Sequence, residues 1–304
     1  MISRTVKDGY GLYLLESEEL KVWVWELGAT ITRIDYKGRT VTLGYDRAED
    51  YLNGATYAGA TIGRFANRIA KGRFTLNGRE YQTTVNENGN TLHGGPNSYD
   101  KRRWEGVNVN EGVRFTLVSP DGDNGFPGRL RMHVDYAVRG GELRVDYRAV
   151  SDADTVYAPT NHSYFNLDGA ETILGTTMQI KARGVLEVDD ELIPTGTILP
   201  AEGDFDFSAP RAIGRNYDHC FVLAEGAGEK AAVASAGGVT LSVSTDFPSI
   251  QFYTGGALSS GFHTSQGFAL EPGYCADTPN RPEFGSCTLK AGEEFHKFIR
   301  YEFT

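Results

Sequence analysis

Strict alternation of apolar and polar residues is the feature that most limits how this chain can fold. From Arg129 to Val138, Leu130, Met132, Val134, Tyr136 and Val138 fall on one face, and Arg131, His133 and Asp135 on the other. After Arg139-Gly140-Gly141-Glu142 the pattern resumes, with Leu143, Val145, Tyr147 and Ala149 against Arg144, Asp146 and Arg148. A period of two is the side-chain repeat of a strand, so this is a half-buried antiparallel hairpin. Phe74-Thr75-Leu76, Asn77-Gly78 and Arg79-Glu80-Tyr81 form a second one, with Asn-Gly supplying a primed two-residue turn. Leu20 to Tyr36, Thr240 to Ser244, Ser249 to Tyr253 and Phe298 to Phe303 read as further strands. No long stretch carries a 3.6-residue stripe, and the 37 glycines punctuate turns rather than form a linker. The chain of 304 residues is therefore expected to be one large, mostly antiparallel β-sandwich domain over 1–304, with function in its loops and on one sheet face. The Gly/Ala-rich run from Glu225 to Gly238 is a weak alternative boundary, read more economically as a hairpin loop between strands.

The formal charge of −10 argues against nucleic acid or anionic membrane as a partner. Three cysteines, Cys220, Cys275 and Cys287, have no CxxC spacing and read as small buried hydrophobes in a reducing compartment. The N-terminus lacks the apolar core of a signal peptide, and no stretch is long enough to span a bilayer; a cytoplasmic location is expected.

Four segments place polar residues inside apolar, glycine-bounded contexts. His93 lies in Asn90-Thr91-Leu92-His93-Gly94-Gly95 and His162 in Pro159-Thr160-Asn161-His162-Ser163-Tyr164. A lone histidine is more often a satisfied structural residue, and His133, on the polar face of a clean strand, shows that ordinary setting. Glu271, in Ala269-Leu270-Glu271-Pro272-Gly273, follows an apolar run and would have a raised pKa if half buried; an edge-strand charge is the bland reading. Asp218, before His219 and Cys220, has the same two readings. Asn67 and Arg68, between Phe65 and Ile69, suit hydrogen bonding to hydroxyls, although a structural arginine is the commoner case. A carboxylate and an imidazole facing one small molecule can take a proton at one atom and give one at another, without a cofactor. There is no phosphate loop, no Gly-x-Ser-x-Gly elbow and no short metal-ligand spacing, though His93, His162 and Glu271 could in principle assemble a metal site. Asp218 and Glu271 could also serve a glycosidase, which needs two carboxylates about the bond.

The strings GRFANRIAKGRFTLNGREYQTTVNENGNTLHGG, SPDGDNGFPG, NHSYFNLDG, LIPTGTILP, NYDHCFVL and QFYTGG, in this order, resemble the aldose 1-epimerase (galactose mutarotase) family from about Gly28 to the C-terminus. The resemblance implies a β-supersandwich with an open sugar-binding groove and no metal or organic cofactor. It implies interconversion of the anomers of a free aldose. On matched positions Glu271 falls where the family has its general base, His162 its general acid and His93 a second histidine. Arg68, Asp218, Asn67 and Gln251 fall on sugar-binding positions. The expected partner is a monosaccharide, and the chain is expected to be a monomer or homodimer. Two departures bear on the groove rim: Pro272-Gly273 stand where many members have Thr-Gln, and the Gly256–Gly267 loop is short. The rivals are a sugar-phosphate epimerase, for which Arg64, Lys71, Lys101, Arg102 and Arg103 are candidate phosphate ligands, and a non-catalytic sugar-binding protein.

Overall fold

The computed structural model describes residues 1–304. Every strand pair in its sheets is antiparallel. The largest sheet has nine strands, in the spatial order Glu105–Val109, Gly112–Ser119, Leu130–Arg139, Glu142–Ser151, Phe295–Phe303, Val239–Thr245, Ala232–Ala236, Thr177–Ile180 and Arg211–Ala212. The alternating hairpin lies inside it, with Leu130 opposite Ser151 and Tyr136 opposite Val145. Leu130, Met132, Val134, Tyr136, Leu143, Val145 and Tyr147 have no exposed surface, as the period-two pattern requires.

A five-stranded meander (Ile2–Lys7, Tyr10–Glu16, Leu20–Trp25, Thr30–Tyr36, Arg39–Thr40) and a six-stranded sheet complete the main layers. The six-stranded order is Tyr164–Phe165, Phe268–Gly273, Ser249–Tyr253, Asp218–Leu223, Ala182–Val188 and Pro194–Leu199. One continuous apolar cluster joins all three, running from Val22 and Ile34 through Val134 and Tyr301 to Phe252, Phe268 and Leu270. Helix is confined to the six residues Ala48–Asn53 and to single 3₁₀ turns. Asn77 and Gly78 both have positive φ (52° and 76°) between the paired residues Leu76 and Arg79, the geometry of the expected primed turn.

One expectation is corrected. The Glu225–Gly238 run is not a loop throughout: Ala232–Ala236 is an inner strand, paired on one side with Thr177–Ile180 and on the other with Val239–Thr245. Alanine and serine are poor strand formers, but these small side chains sit between partners that supply the β-branched bulk, and tertiary pairing overrides propensity.

The six-stranded sheet positions the site. Its alternation sends Phe252, Phe268 and Leu270 into the core and Gln251 and Glu271 to the opposite face. Pro272 does not disturb this register, because Gln251 stays opposite Glu271. The Pro272 carbonyl accepts the Thr160 hydroxyl at 2.8 Å, on the side away from Ser249–Tyr253. Its nitrogen points the same way, where no ladder bond is called for, so the missing N–H goes unfelt.

Candidate active site

On that outer face a cavity of about 390 Å³ brings together His93, His162, Glu271, Asn67, Arg68, Asp218 and Gln251. These are all seven residues singled out from the sequence, drawn from positions more than 200 residues apart. Other clefts, of about 320 Å³ beside Arg183 and Phe284 and about 580 Å³ beside Arg79 and Asp154, contain no facing carboxylate and imidazole. Tyr57, Tyr164 and Tyr253 also line the cavity, with Leu192, Leu258 and Glu87. Tyr253 was legible as the next same-face residue after Gln251. Nothing in the sequence distinguishes Glu87.

His93 is placed by a reciprocal lock. Its backbone N–H donates to the Asn67 carbonyl at 3.0 Å, and the Asn67 N–H donates to His93 Nδ1 at 3.0 Å. Both residues have left-handed φ, 65° at Asn67 and 52° at His93. Gly94 follows with φ of 85°, and a Cβ there would lie 2.2 Å from the Gly63 carbonyl oxygen, so only glycine fits. Because Nδ1 accepts a hydrogen bond, the proton of neutral His93 is on Nε2. The ring is thus a fixed N–H donor, and burial, reinforced by His162 and Arg68, holds its pKa well below the usual imidazole value. This bears on metal binding. His93, His162 and Glu271 offer ligand atoms within 4.8 Å of one another. With one nitrogen occupied as acceptor and the other protonated, His93 has no lone pair for an ion; metal-bound histidines donate from their second nitrogen instead.

His162 follows the short strand Thr160–Asn161, which pairs with Thr61–Ile62. The Asn161 amide donates to the Gly59 carbonyl at 3.0 Å and its oxygen accepts the Ser163 N–H at 3.1 Å, fixing the turn. The imidazole packs against Tyr57, His93 and Tyr164, with ring centroids 6.0, 5.4 and 5.0 Å away. Its Nε2 lies 3.6 Å from Glu271 Oε1. That is beyond a hydrogen bond, and it is a span that can bracket two oxygens carried by one carbon.

The spacing invites the reading of an ion pair, but burial opposes it. His162 is 4% exposed and Glu271 6%. Desolvation lowers His162 to about 4 and raises Glu271 well above the usual carboxylate range, the latter helped by the Asp218 charge. His162 Nδ1 is buried without a hydrogen-bond partner, and desolvation outweighs what would favour an imidazolium. Burial therefore favours neutral His162 beside a protonated Glu271. This form holds the same single proton as the charged pair, and the two interconvert by moving that proton.

The polar wall is ordered by its own hydrogen bonds. Gln251 Nε2 donates to Asp218 Oδ1 at 2.6 Å. Arg68 Nη2 and Nε donate to Glu87 at 2.6 and 2.9 Å, and the Arg68 N–H donates to Asn67 Oδ1 at 2.8 Å. The remaining histidines are elsewhere: His133 bonds Thr116, His296 contacts Asp146, His219 packs on Phe205, and His263 is exposed.

The candidate phosphate ligands do not gather here. Arg64 is buried and donates to Ser119 Oγ and the Pro127 and Gly128 carbonyls. Lys101 donates to the Tyr51 and Gly54 carbonyls, Arg102 pairs with Asp123, and Arg103 donates to the Gly9 carbonyl. Lys71 does not line the cavity.

An antiparallel supersandwich that buries a carboxylate against an imidazole in a polar groove defines a β-fold acid–base enzyme. Comparison with known proteins makes this specific. The chain belongs to the aldose 1-epimerase family, whose model matches residues 11–302. Bovine galactose mutarotase is 41% identical over 96% of this chain and 93% of its own. The aldose 1-epimerase of Escherichia coli K12 is 38% identical over 91% and 88%. The crystal structure of an aldose epimerase homologue from C. elegans superposes with a TM-score of 0.92 at 27% identity, covering 97% of this chain and 99% of that one.

Proposed function

We propose that this protein is an aldose 1-epimerase that interconverts the α and β anomers of a free aldose such as glucose or galactose. The observation that carries the reading is the 3.6 Å approach of His162 Nε2 to Glu271 Oε1 in a groove lined by hydroxyl-binding groups. Glu271, ionised once the pair's proton is on His162, takes the proton of the C1 hydroxyl. His162 gives its proton to the ring oxygen as the C1–O5 bond breaks. The aldehyde turns about C1–C2, and O5 attacks its other face while the two residues run in reverse. The proton count of the pair is restored at each turnover. His93 Nε2–H donates toward the charge that develops on oxygen. Arg68, Asn67, Asp218 and Gln251 hold the sugar hydroxyls.

The sugar-phosphate alternative is disfavoured because Arg64, Lys101, Arg102 and Arg103 are engaged elsewhere. We further propose that residues 1–304 act as one domain, as monomer or homodimer, in the cytoplasm. No helix is long and apolar enough to cross a membrane.

Polarimetry on freshly dissolved α-D-glucose and α-D-galactose tests the activity. The protein should hasten the approach to the unchanged final rotation, and Glu271→Gln should abolish most of that acceleration. Near-normal rates in the variant would remove Glu271 from the mechanism; no acceleration with either sugar would remove the proposed substrates.

A further inference from the structure

The acid–base pair leaves the charge balance of the groove unexplained. Arg68 is the one lysine or arginine among the lining side chains, whereas Glu87, Asp218 and Glu271 are all carboxylates. A guanidinium beside a sugar site is ordinarily a strong receptor for a carboxylate or phosphate, because its planar fork matches both. Here the fork is already filled. Nε and Nη2 of Arg68 donate in parallel to the two oxygens of Glu87, and Nη1 leans 3.4 Å toward Asn67 Oδ1. The pair is not a loose surface contact: the Arg68 side chain is 10% exposed and that of Glu87 26%.

Glu87 is also held from behind. Its carbonyl accepts the Asn90 N–H at 2.7 Å and its N–H donates to the Asn90 carbonyl at 3.2 Å. Asn90 is itself 1% exposed, with its amide oxygen accepting the Lys71 N–H at 2.8 Å. The carboxylate thus comes from a tight, anchored turn, and a sugar bearing a negative charge would have to displace it.

We propose that Glu87 is a specificity-determining residue that fills the forked face of Arg68, so that the groove selects uncharged aldoses over sugar acids and sugar phosphates. The arginine is left with Nη1 as a donor to a neutral hydroxyl. An anionic sugar meets the Asp218 carboxylate without a free cation to offset it. This rests on the aldose reading above.

The test compares the wild type with Glu87→Gln, which keeps the shape and removes the charge. Anomer exchange of D-glucose, D-glucuronate and D-glucose 6-phosphate is followed by NMR, and glucuronate and glucose binding by calorimetry. The ratio of kcat/KM for the anionic sugars over glucose should rise on the order of tenfold or more in the variant. The gain should shrink at high ionic strength as the freed guanidinium is screened. The ratio of binding constants should move the same way. A ratio unchanged in both assays would overturn the role of Glu87. A wild type that exchanges none of the three sugars, while the variant gains glucuronate binding, would sink the epimerase reading and leave this one standing. Glu87→Ala, read identically, serves if the glutamine variant fails to fold.

Discussion

His93 shows how one hydrogen bond at the residue scale decides chemistry. The Asn67 N–H on Nδ1 forces the His93 proton to Nε2, making this ring a donor rather than a metal ligand or a base. At His162 and Glu271 the deciding term is desolvation, and it makes the pH dependence differ from that of two exposed groups. Activity requires that the pair hold a single proton. On the acid side a second proton is taken up where His162 titrates, lowered to about 4. On the alkaline side the proton is lost at the raised carboxyl of Glu271. The kcat/KM profile should therefore be a broad bell whose acid limb lies below the imidazole range and whose alkaline limb lies above the carboxylate range. An acid limb near 6.5 would show instead that burial does not lower His162.

The same shift appears in stability. With a folded pKa below the unfolded value of 6.5, His162 binds fewer protons in the folded state. Stability is then lost as pH falls from that value toward about 4, by on the order of 3 kcal/mol at the limit. His162→Asn should lose anomer exchange by about a hundredfold or more, yet unfold at higher urea than wild type at pH 4.5, with the advantage shrinking at pH 7.5. Equal midpoint differences at both pH values would refute the shift.

At the scale of elements, the site is made by where strands and turns end. Phe268–Gly273 carries Glu271 with every residue buried, apolar side chains on one face and the carboxylate on the other. The Leu92–Gly95 turn presents His93 through a backbone that only glycine completes. Gly94→Ala should destabilise the fold by about 1–3 kcal/mol through strain at positive φ. It should also lower activity by displacing His93, which thermal melting and polarimetry together would show. Wild-type stability and rate in this variant would mean that the turn relaxes without moving the imidazole.

For the whole molecule, the core is the mechanical support of the groove. Phe252, fully buried, lies on the core side of the strand whose next residue inward, Gln251, faces the groove. Phe252→Ala should cost about 3–5 kcal/mol in urea unfolding and lower activity as Gln251 and its neighbour Glu271 lose their backing. Stability lost with activity unchanged would show that the strand is held independently of the core.

The period-two pattern, the Asn-Gly turn and the polar residues set in apolar, glycine-bounded strings were local signals. They carried the strands, the antiparallel class and six of the seven site candidates, because strand period and turn chemistry are properties of neighbouring residues; Gln251 entered only through the family resemblance. Ala232–Ala236 was not legible as a strand, since its own side chains are small and one of its two partners, Thr177–Ile180, lies far back in the chain. Glu87 was not legible either, because its meaning depends on meeting Arg68. Residue order alone marked which side chains could do proton chemistry and which faces had to be buried. The packed sheets bring His162 and Glu271 to 3.6 Å, fix which nitrogen of His93 bears the proton, and set Glu87 in the fork of Arg68. Those outcomes are set by burial and by contacts between distant segments, and neither exists until the sheets pack.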